Sequence, residues 1–490
     1  MPYHASISLS LAYNTIVCRK RLDFRQVVPE QSYDFFHQFF LQGMSYGMMS
    51  YEWDFITENI VCNDQFHTTI GTAETFIHGM IQAGQDLNLT MQWCMPPPAI
   101  ALQSIHYPSV TNARASDDFL VGDAWEVGTS SLLLWALNLA PSTDTFWTSD
   151  NGDVASTMGG CIDENCPPDH SDVGCELHTI LAVMSTGPVG FSDAINQTNA
   201  ERILRTCRSN DGVLLQPSKP LTTLDTTLDQ RWRILQTYSG PTVDEVFAYY
   251  IVAHHLTNLP NGKIVVTVDE LWPHPQVGTQ WFVVKNGGGS TNSNNTSRNE
   301  STIGGVGGNG TYPCTTDGAP ASECGEFVTA VDRSNDYDDD ESDSIGTISL
   351  EETETDFEPT RVSIFRVCPD TGWVLLGELS KYVSVSIPYR FTNIECLDSG
   401  LLFKLHGSRG NSGGGGGGGG NDSETITVSA IHNGQVHAQT IKITRHDDDE
   451  EAGIEGRFRR QRDENEEVVI IGRFSSSSSS SSGVSSSSLL

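Results

Sequence analysis

The chain has 490 residues, a mass of 53.5 kDa and a formal net charge of −34, with an isoelectric point near 4.5. This excess of acids argues against nucleic acid and anionic membrane as main partners, because both are bound by basic patches. The hydrophobic content of 37% is below the usual ~45–50% of globular domains, so part of the chain is not expected to form a core.

The first 230 residues predict alternating helices and strands. Four Phe residues at helical spacing predict a helix over 31–42, and an apolar run predicts a buried strand over 46–56. Further strands are predicted over 87–95, 110–116 and within 178–193, and further helices over 72–83, 99–105, 128–139 and 198–207. Repeated strand–helix units predict an α/β fold, most simply a partial (β/α)8 barrel of the TIM type over 1–230.

The pattern changes beyond about residue 230, where short β runs are separated by turns. These runs lie at 264–271, 279–285, 361–367, 373–379, 382–387, 401–405, 424–431 and 437–443. They predict an all-β sandwich domain over 231–445.

Low-complexity segments interrupt and follow this β-rich part. We expect disordered inserts near 286–311, 332–358 and 407–421, and a disordered acidic and poly-Ser tail over 446–490. Such segments have too little apolar surface to offset the chain entropy that is lost on ordering.

The cysteines predict neither a disulfide framework nor a metal centre. Their number, 11, is odd and sparse for this length. Cys161, Cys166 and Cys175 lie near His170 and His178, but no paired C-x-x-C spacing occurs. We therefore expect no metal and no cofactor.

No apolar run reaches the 18 residues of a transmembrane helix, so no membrane partner is expected. The N-terminal sequence MPYH lacks the basic and apolar regions of a signal peptide. Secreted and cytoplasmic locations both stay open.

Acidic residues follow two of the predicted strands. Asp54 ends one strand, and the pair Asp117 and Asp118 ends another. In a parallel barrel the carboxyl ends of the strands share one face, so these acids could meet there. Glycoside hydrolysis usually uses two carboxyl groups on either side of the scissile bond, which makes these residues candidates for that chemistry.

Several motifs, taken in chain order, are similar to those of a known family. The motifs are YGMMSYEWDF (46–55), QWCM (92–95), RASDDF (114–119), STGPVGFSD (185–193), NDGVLLQPSKPLTT (210–223) and WVLLGELSKYVSVS (373–386). Together they resemble the clan D glycoside hydrolases of family 36 type, the α-galactosidase and raffinose synthase group. The resemblance covers about residues 27–445.

The resemblance implies a retaining double displacement on an oligosaccharide or another α-glycoside. Asp54 would be the nucleophile and Asp118 the general acid/base, with Asp117 as the alternative for the second role. Their carboxylates are then expected about 5–6 Å apart. Whether the second step is hydrolysis or transfer to another sugar stays open.

The same resemblance implies several substrate contacts. Arg114 would bind sugar hydroxyls through charge-assisted hydrogen bonds, and Cys94 would approach the sugar. Trp53, Trp93 and Trp125 could stack on sugar faces, although ordinary core packing is an equal alternative. The complete set of expected substrate contacts is Glu52, Trp53, Trp93, Cys94, Arg114 and Asp117.

Two features depart from the family pattern. The family has Lys where this chain has Glu52, and a carboxylate on the face of Asp54 opposes the ionised state of the nucleophile. Only about 45 residues precede the presumed fourth barrel strand, so we expect the family's N-terminal part to be lacking. The competing interpretations are a non-catalytic homologue that binds carbohydrate and a structural β-rich protein.

Overall fold

The computed structural model describes residues 27–61, 63–116, 126–149, 174–224, 233–254, 263–286, 317–330, 347–351, 359–398, 400–408, 423–444, 459–462 and 467–475. The chain forms two compact units. The first comprises Met1–Asn199 and Lys219–Thr223, and the second comprises Ala200–Ser218 and Leu224–Leu490. Residues 200–218 therefore belong to the β-rich part, so the units divide earlier than the expected boundary at 230.

The first unit is an α/β structure. Its helices are α1 (Ser32–Met44), α2 (Ile56–Val61), α3 (Asp64–Thr68), α4 (Thr72–Asp86), α5 (Pro98–Ala101), α6 (Glu126–Ala136) and α7 (Cys175–Met184), with 3₁₀ helices at Pro29–Gln31 and Leu102–His106. Its strands are β1 (Ser50–Trp53), β2 (Thr90–Trp93), β3 (Val110–Arg114), β4 (Ala140–Ser142) and the short β5 (Thr222–Thr223). Strands β1 to β4 form a parallel sheet in chain order, which confirms the predicted α/β class.

An aromatic cluster holds the first helices on the sheet. Phe36 and Phe40 of α1 are buried, and Phe36 meets Phe76 of α4 edge-on at 5.7 Å between ring centroids. Tyr51 of β1 joins them, 5.0 Å from Phe40. The helical spacing of the Phe residues thus produces an apolar stripe on one side of α1, as the sequence predicted.

Helices α1 and α4 approach so closely at Gly79 that even a methyl group there is expected to destabilise the fold. A Cβ at Gly79 of α4 would meet the Oγ of Ser32 and lie 2.8 Å from the backbone N of Tyr33. We expect Gly79→Ala to lower the free energy of unfolding by about 1–3 kcal/mol, because backbone atoms cannot move aside. The measurement is urea unfolding followed by fluorescence.

Gly43→Ala is the matched control for that substitution. The nearest atoms to its added Cβ are the Cε and Sδ of Met48, the mobile end of a flexible side chain. We expect it to be neutral or stabilising by up to about 1 kcal/mol through helix propensity. Equal losses in both variants would contradict the proposed contact.

The stretch 178–193 corrects one predicted strand. It contributes most of α7, whose residues 177 and 179–184 are all buried, followed by a turn region. A helix that is apolar on every side has no periodicity to distinguish it from a buried strand, which explains the error.

The second unit consists mainly of antiparallel strands, preceded by the short helix α8 (Ala200–Leu204). The strands are β6 (Arg233–Ser239), β7 (Ala248–His254), β8 (Lys263–Thr267), β9 (Gln280–Asn286), β10 (Glu326–Thr329), β11 (Thr347–Glu351), β12 (Thr360–Arg366), β13 (Val374–Gly377), β14 (Phe391–Leu397), β15 (Gly400–Ser408), β16 (Ser423–His432), β17 (Gln435–Thr444), β18 (Arg459–Arg462) and β19 (Glu467–Ser475), with 3₁₀ helices at Val268–Glu270 and Ala321–Glu323. Within this unit the sheet orders are β10-β9-β12-β7-β6, β11-β8, β13-β16-β17 and β14-β15-β19-β18.

Two cores hold these strands together. Buried residues of β6, β7, β9 and β12 form one cluster with residues of β8 and β11. In the other, Trp373 lies 5.9 Å from Phe474 of β19, which lies 6.0 Å from Phe403 of β15. Trp373 immediately precedes β13, so this aromatic chain connects the last two sheets.

Several β-region expectations need correction. The run 382–387 forms bends and not a strand, although its residues are buried. Conversely, β11 lies within the acidic segment 332–358, and β18 and β19 lie within the expected disordered tail. Strands β11 and β19 are short β-forming runs within low-complexity sequence, so average composition conceals them, whereas the RRQR of β18 has no β-forming pattern. Strand β19 pairs with β15 over its whole length.

The cysteine expectation is also corrected, because Cys368 and Cys396 form a disulfide with a Cα–Cα distance of 5.7 Å. Cys324 is disulfide-bonded as well. A count over the whole chain does not reveal pairs that form within one unit. In the parts that the structure describes, no helix is long and apolar enough to cross a membrane.

A histidine in the second unit predicts pH-dependent stability. The His432 ring stacks on Trp373 at 4.2 Å and 3° between planes, and its pKa is lowered by burial and then by the nearby His437. A folded-state pKa below the unfolded value of ~6.5 favours the neutral ring. This contribution to stability is therefore present above about pH 6.5 and is lost as the pH falls below it.

Urea unfolding of wild type and His432→Gln at about pH 7.5 and about pH 5.5 measures this effect. Wild type should lose more stability than His432→Gln on acidification. His274→Gln, which changes an exposed histidine, should behave like wild type. The same pH dependence in wild type and His432→Gln would contradict the assignment.

Candidate functional site

One face of the parallel sheet is lined by polar side chains. Residues two apart in a strand share a face, so Glu52 and Asp54 lie together on β1 and just beyond it. Neighbouring strands continue this polar face, with Gln92 and Cys94 on the β2 side and Asn112 and Arg114 on the β3 side.

Hydrogen bonds join three of these residues across the strands. The Nε2 of Gln92 donates to the Oε1 of Glu52 at 2.9 Å, and the Nδ2 of Asn112 donates to the Oε1 of Gln92 at 2.6 Å. This ladder fixes the carboxylate of Glu52 in the face that also carries Asp54. The sequence had indicated Glu52 but not Gln92 or Asn112.

Asp54, Cys94 and Arg114 meet at the carboxyl edge of the sheet. The thiol of Cys94 is buried beside the carboxylate of Asp54. Burial raises the pKa of Cys94 far above its ordinary value, the charges of Asp54 and Glu52 raise it further, and Arg114 opposes them. Cys94 is therefore a neutral thiol beside Asp54 rather than a nucleophile.

Arg114 is held by an acid that the sequence did not indicate. Its Nη1 lies 3.2 Å from the Oδ1 of Asp144, which follows β4, and Arg114 is buried. The backbone N of Asp144 donates to the Oγ of Ser116 at 2.9 Å. Four consecutive parallel strands thus contribute Asp54, Cys94, Arg114 and Asp144 to the same edge. Because β4 has only three residues, its sequence has no pattern from which the end of the strand could be predicted.

The backbone is strained next to two of these residues. Phe55 has a φ of 53° and Met95 a φ of 42°, and they follow Asp54 and Cys94 directly. Non-glycine residues in this left-handed region carry an energetic penalty of about 1–3 kcal/mol and occur preferentially at functional sites. The Oδ1 of Asp54 also accepts a hydrogen bond of 2.6 Å from the N of Phe55.

Of the two alternatives for Trp53 and Trp93, the structure shows core packing and not an exposed surface that could stack on a sugar. They lie on the opposite face from Asp54 and are only 4% and 0% exposed. Their ring centroids are 6.3 Å apart, and Trp53 lies 6.2 Å from Phe76 of α4. The period of two along a strand accounts for this placement, because Trp53 lies between Glu52 and Asp54.

The remaining expected residues cannot be placed. Asp117, Asp118 and Trp125 lie outside the described residues, as do Cys161, Cys166 and His170. Cys175 and His178 both belong to α7. Among the described residues, no group of three or more His, Cys, Asp or Glu side chains could hold a metal ion.

The STGPVGFSD segment lies against the chain that leaves β4. A Cβ at Gly187 would meet the carbonyl O of Pro141 in β4, so this close approach requires glycine. The carboxylate of Asp193 accepts hydrogen bonds from the N and Oγ1 of Thr148 and from the N of Ser149. Asp193 is thus a structural acceptor that orders the region after Asp144.

Comparisons with known proteins provide no independent assignment, since neither a scan against protein-family models nor a search of curated proteins finds a match.

Proposed function

We propose that this protein is a glycoside hydrolase that acts on α-glycosides, of the α-galactosidase and raffinose synthase type. The proposal rests on the meeting of Asp54, Cys94 and Arg114 at the carboxyl edge of a parallel sheet. A carboxylate and a guanidinium at one edge can bind sugar hydroxyls, and strained backbone is frequent at functional sites. The four parallel strands would then form part of a (β/α)8 barrel.

In the proposed reaction, a carboxylate oxygen of Asp54 attacks the anomeric carbon of the substrate. The new ester bond forms as the glycosidic carbon–oxygen bond breaks, and Asp118 gives its proton to the departing oxygen. Water, or an acceptor sugar in a transferase, then gives a proton to Asp118 and attacks the same carbon, which releases Asp54. Two inversions retain the configuration of the sugar.

The neighbouring side chains have supporting roles in this proposal. The Cys94 thiol, neutral and buried, lies beside Asp54 without adding a charge to the site. Asp144 holds the guanidinium of Arg114 at 3.2 Å, at the edge of the sheet that also carries Asp54. Arg114 would bind a sugar hydroxyl, while Asp144 acts as a positioning residue.

A second candidate is a non-catalytic homologue that binds carbohydrate. Glu52 favours it, because its carboxylate shares the polar face with Asp54 and is fixed by Gln92 at 2.9 Å. The family that the sequence resembles has Lys at this position, so an acid replaces a cation that could bind sugar hydroxyls.

Turnover of 4-nitrophenyl α-galactoside and raffinose by the full chain separates the two candidates. If the first candidate is correct, proton NMR of the fresh product will show the α-anomer, as retention requires. Binding of raffinose without turnover that is weakened in Asp54→Ala would favour the second candidate. An initial β-anomer would contradict the double displacement.

A further inference from the structure

The second unit contains a cavity of about 660 Å³ that is separate from the proposed catalytic residues. It lies between the loop that joins β6 to β7, the segment before β14 and the first half of β14. Glu245, Phe247, Tyr389, Asn393 and Glu395 are among the residues that line it. A volume in this range is typical of small-molecule sites.

We propose that this cavity binds a neutral saccharide. Tyr389 is 41% exposed and presents an aromatic ring together with a polar hydroxyl. Glu245, Asn393 and Glu395 are exposed and line the same cavity, where they supply acceptors and one amide donor. A sugar has the complementary surface, with hydroxyls at its edge and C–H groups on its face.

The negative charge of the cavity wall excludes anionic ligands. Glu245 and Glu395 are acidic, and none of the described residues that line the cavity is Lys, Arg or His. A phosphate or sulfate ester would meet only like charge there. A cationic amine is the competing ligand, because two carboxylates and an aromatic ring also suit a cation. The amide of Asn393, which both donates and accepts hydrogen bonds, favours the polyhydroxyl ligand.

The geometry of β14 supports a binding role for Asn393. The pairing of β14 with β15 shifts register between Thr392 and Glu395, so Asn393 lies in a bulge, with a φ of 49°. Ile394 beside it is buried, whereas Asn393 is exposed. Bulges redirect side chains and are frequent next to binding sites.

The wall is also fixed before any ligand arrives. Cys396, next to Glu395, is disulfide-bonded to Cys368. The Oγ1 of Thr392 is hydrogen-bonded to the Nε2 of His406 at 2.6 Å, and the Nη1 of Arg208 donates to the carbonyl O of Tyr389 at 3.3 Å. A preformed wall reduces the entropy lost on binding.

The test measures binding of raffinose, maltotriose and choline to the full chain by saturation-transfer NMR and calorimetry. We expect a trisaccharide to bind and Tyr389→Ala to weaken its binding about tenfold, as loss of one aromatic contact implies. Glu395→Gln should also weaken it. Phe327→Ala changes a similarly exposed aromatic residue of β10, outside the cavity wall, and should leave binding unchanged.

Asp54→Asn separates this proposal from the catalytic one. Cavity binding should persist in Asp54→Asn, whereas the proposed function is judged by turnover. Three results would overturn the cavity assignment: no binding of either sugar, sugar binding that Tyr389→Ala leaves unchanged in a folded variant, or binding of choline alone.

Discussion

Asp54→Asn should lower kcat on 4-nitrophenyl α-galactoside by a factor on the order of 10³ or more. An amide cannot form the glycosyl ester that the proposed reaction requires, so only the contributions of binding, of Arg114 and of the proposed acid Asp118 remain. Asp54 is exposed and the Cys94 thiol beside it is neutral, so the substitution leaves no buried charge unpaired. We therefore expect the loss in kcat with little change in stability, as measured by steady-state kinetics and thermal unfolding.

Asp34→Asn is the matched control for this variant. Asp34 lies exposed in the first turn of α1, and its substitution removes the same charge. We expect wild-type kinetics from it. Full activity in Asp54→Asn would remove Asp54 from the mechanism.

Arg390→Met should lower the free energy of unfolding by about 3–5 kcal/mol. Arg390 is fully buried, with its Nη2 2.7 Å from the Oε1 of Glu424 and its Nε 3.1 Å from the Oε2 of Glu378. Its Nη1 also donates to the carbonyl O of His406 at 2.9 Å. Removal of the guanidinium leaves two buried carboxylates without their main cation, which is the source of the expected loss.

The pH dependence of this variant provides a second check. Burial raises the pKa of Glu378, and Arg390 opposes that rise. Without Arg390 the carboxyl will protonate more readily, so the deficit relative to wild type should shrink as the pH falls. Lys285→Ala, which removes an exposed pair with Glu326, should lose about 0–1 kcal/mol. Similar losses in both variants would contradict the role of burial.

Much of the first unit was predictable, because its elements have clear periods. The spacing of Phe36 and Phe40 predicted α1, and the alternation of helical and strand patterns predicted a parallel sheet. The run in α7 is apolar on all sides, and β4 has only three residues, so neither had a usable period. Strand β19 was concealed by the acids and serines around it.

The candidate site was predictable where it depends on strand ends. Asp54, Cys94 and Arg114 were indicated by sequence and lie together. The alternation of strand faces could also have indicated Gln92 and Asn112 and excluded Trp53, had it been applied to the whole strand. Asp144 could not be found in this way, because its role depends on the neighbouring position of β4 beside β3.

Trapping the glycosyl–enzyme intermediate tests the central claim most directly. The full chain is incubated with 5-fluoro-α-galactosyl fluoride, and the mass of the intact protein and of its peptides is measured. If Asp54 is the nucleophile, the peptide that carries it gains the mass of one fluorosugar, and the same peptide of Asp54→Asn gains none. A label on another carboxylate, or turnover of an aryl α-galactoside with no labelling, would contradict the role of Asp54 as nucleophile.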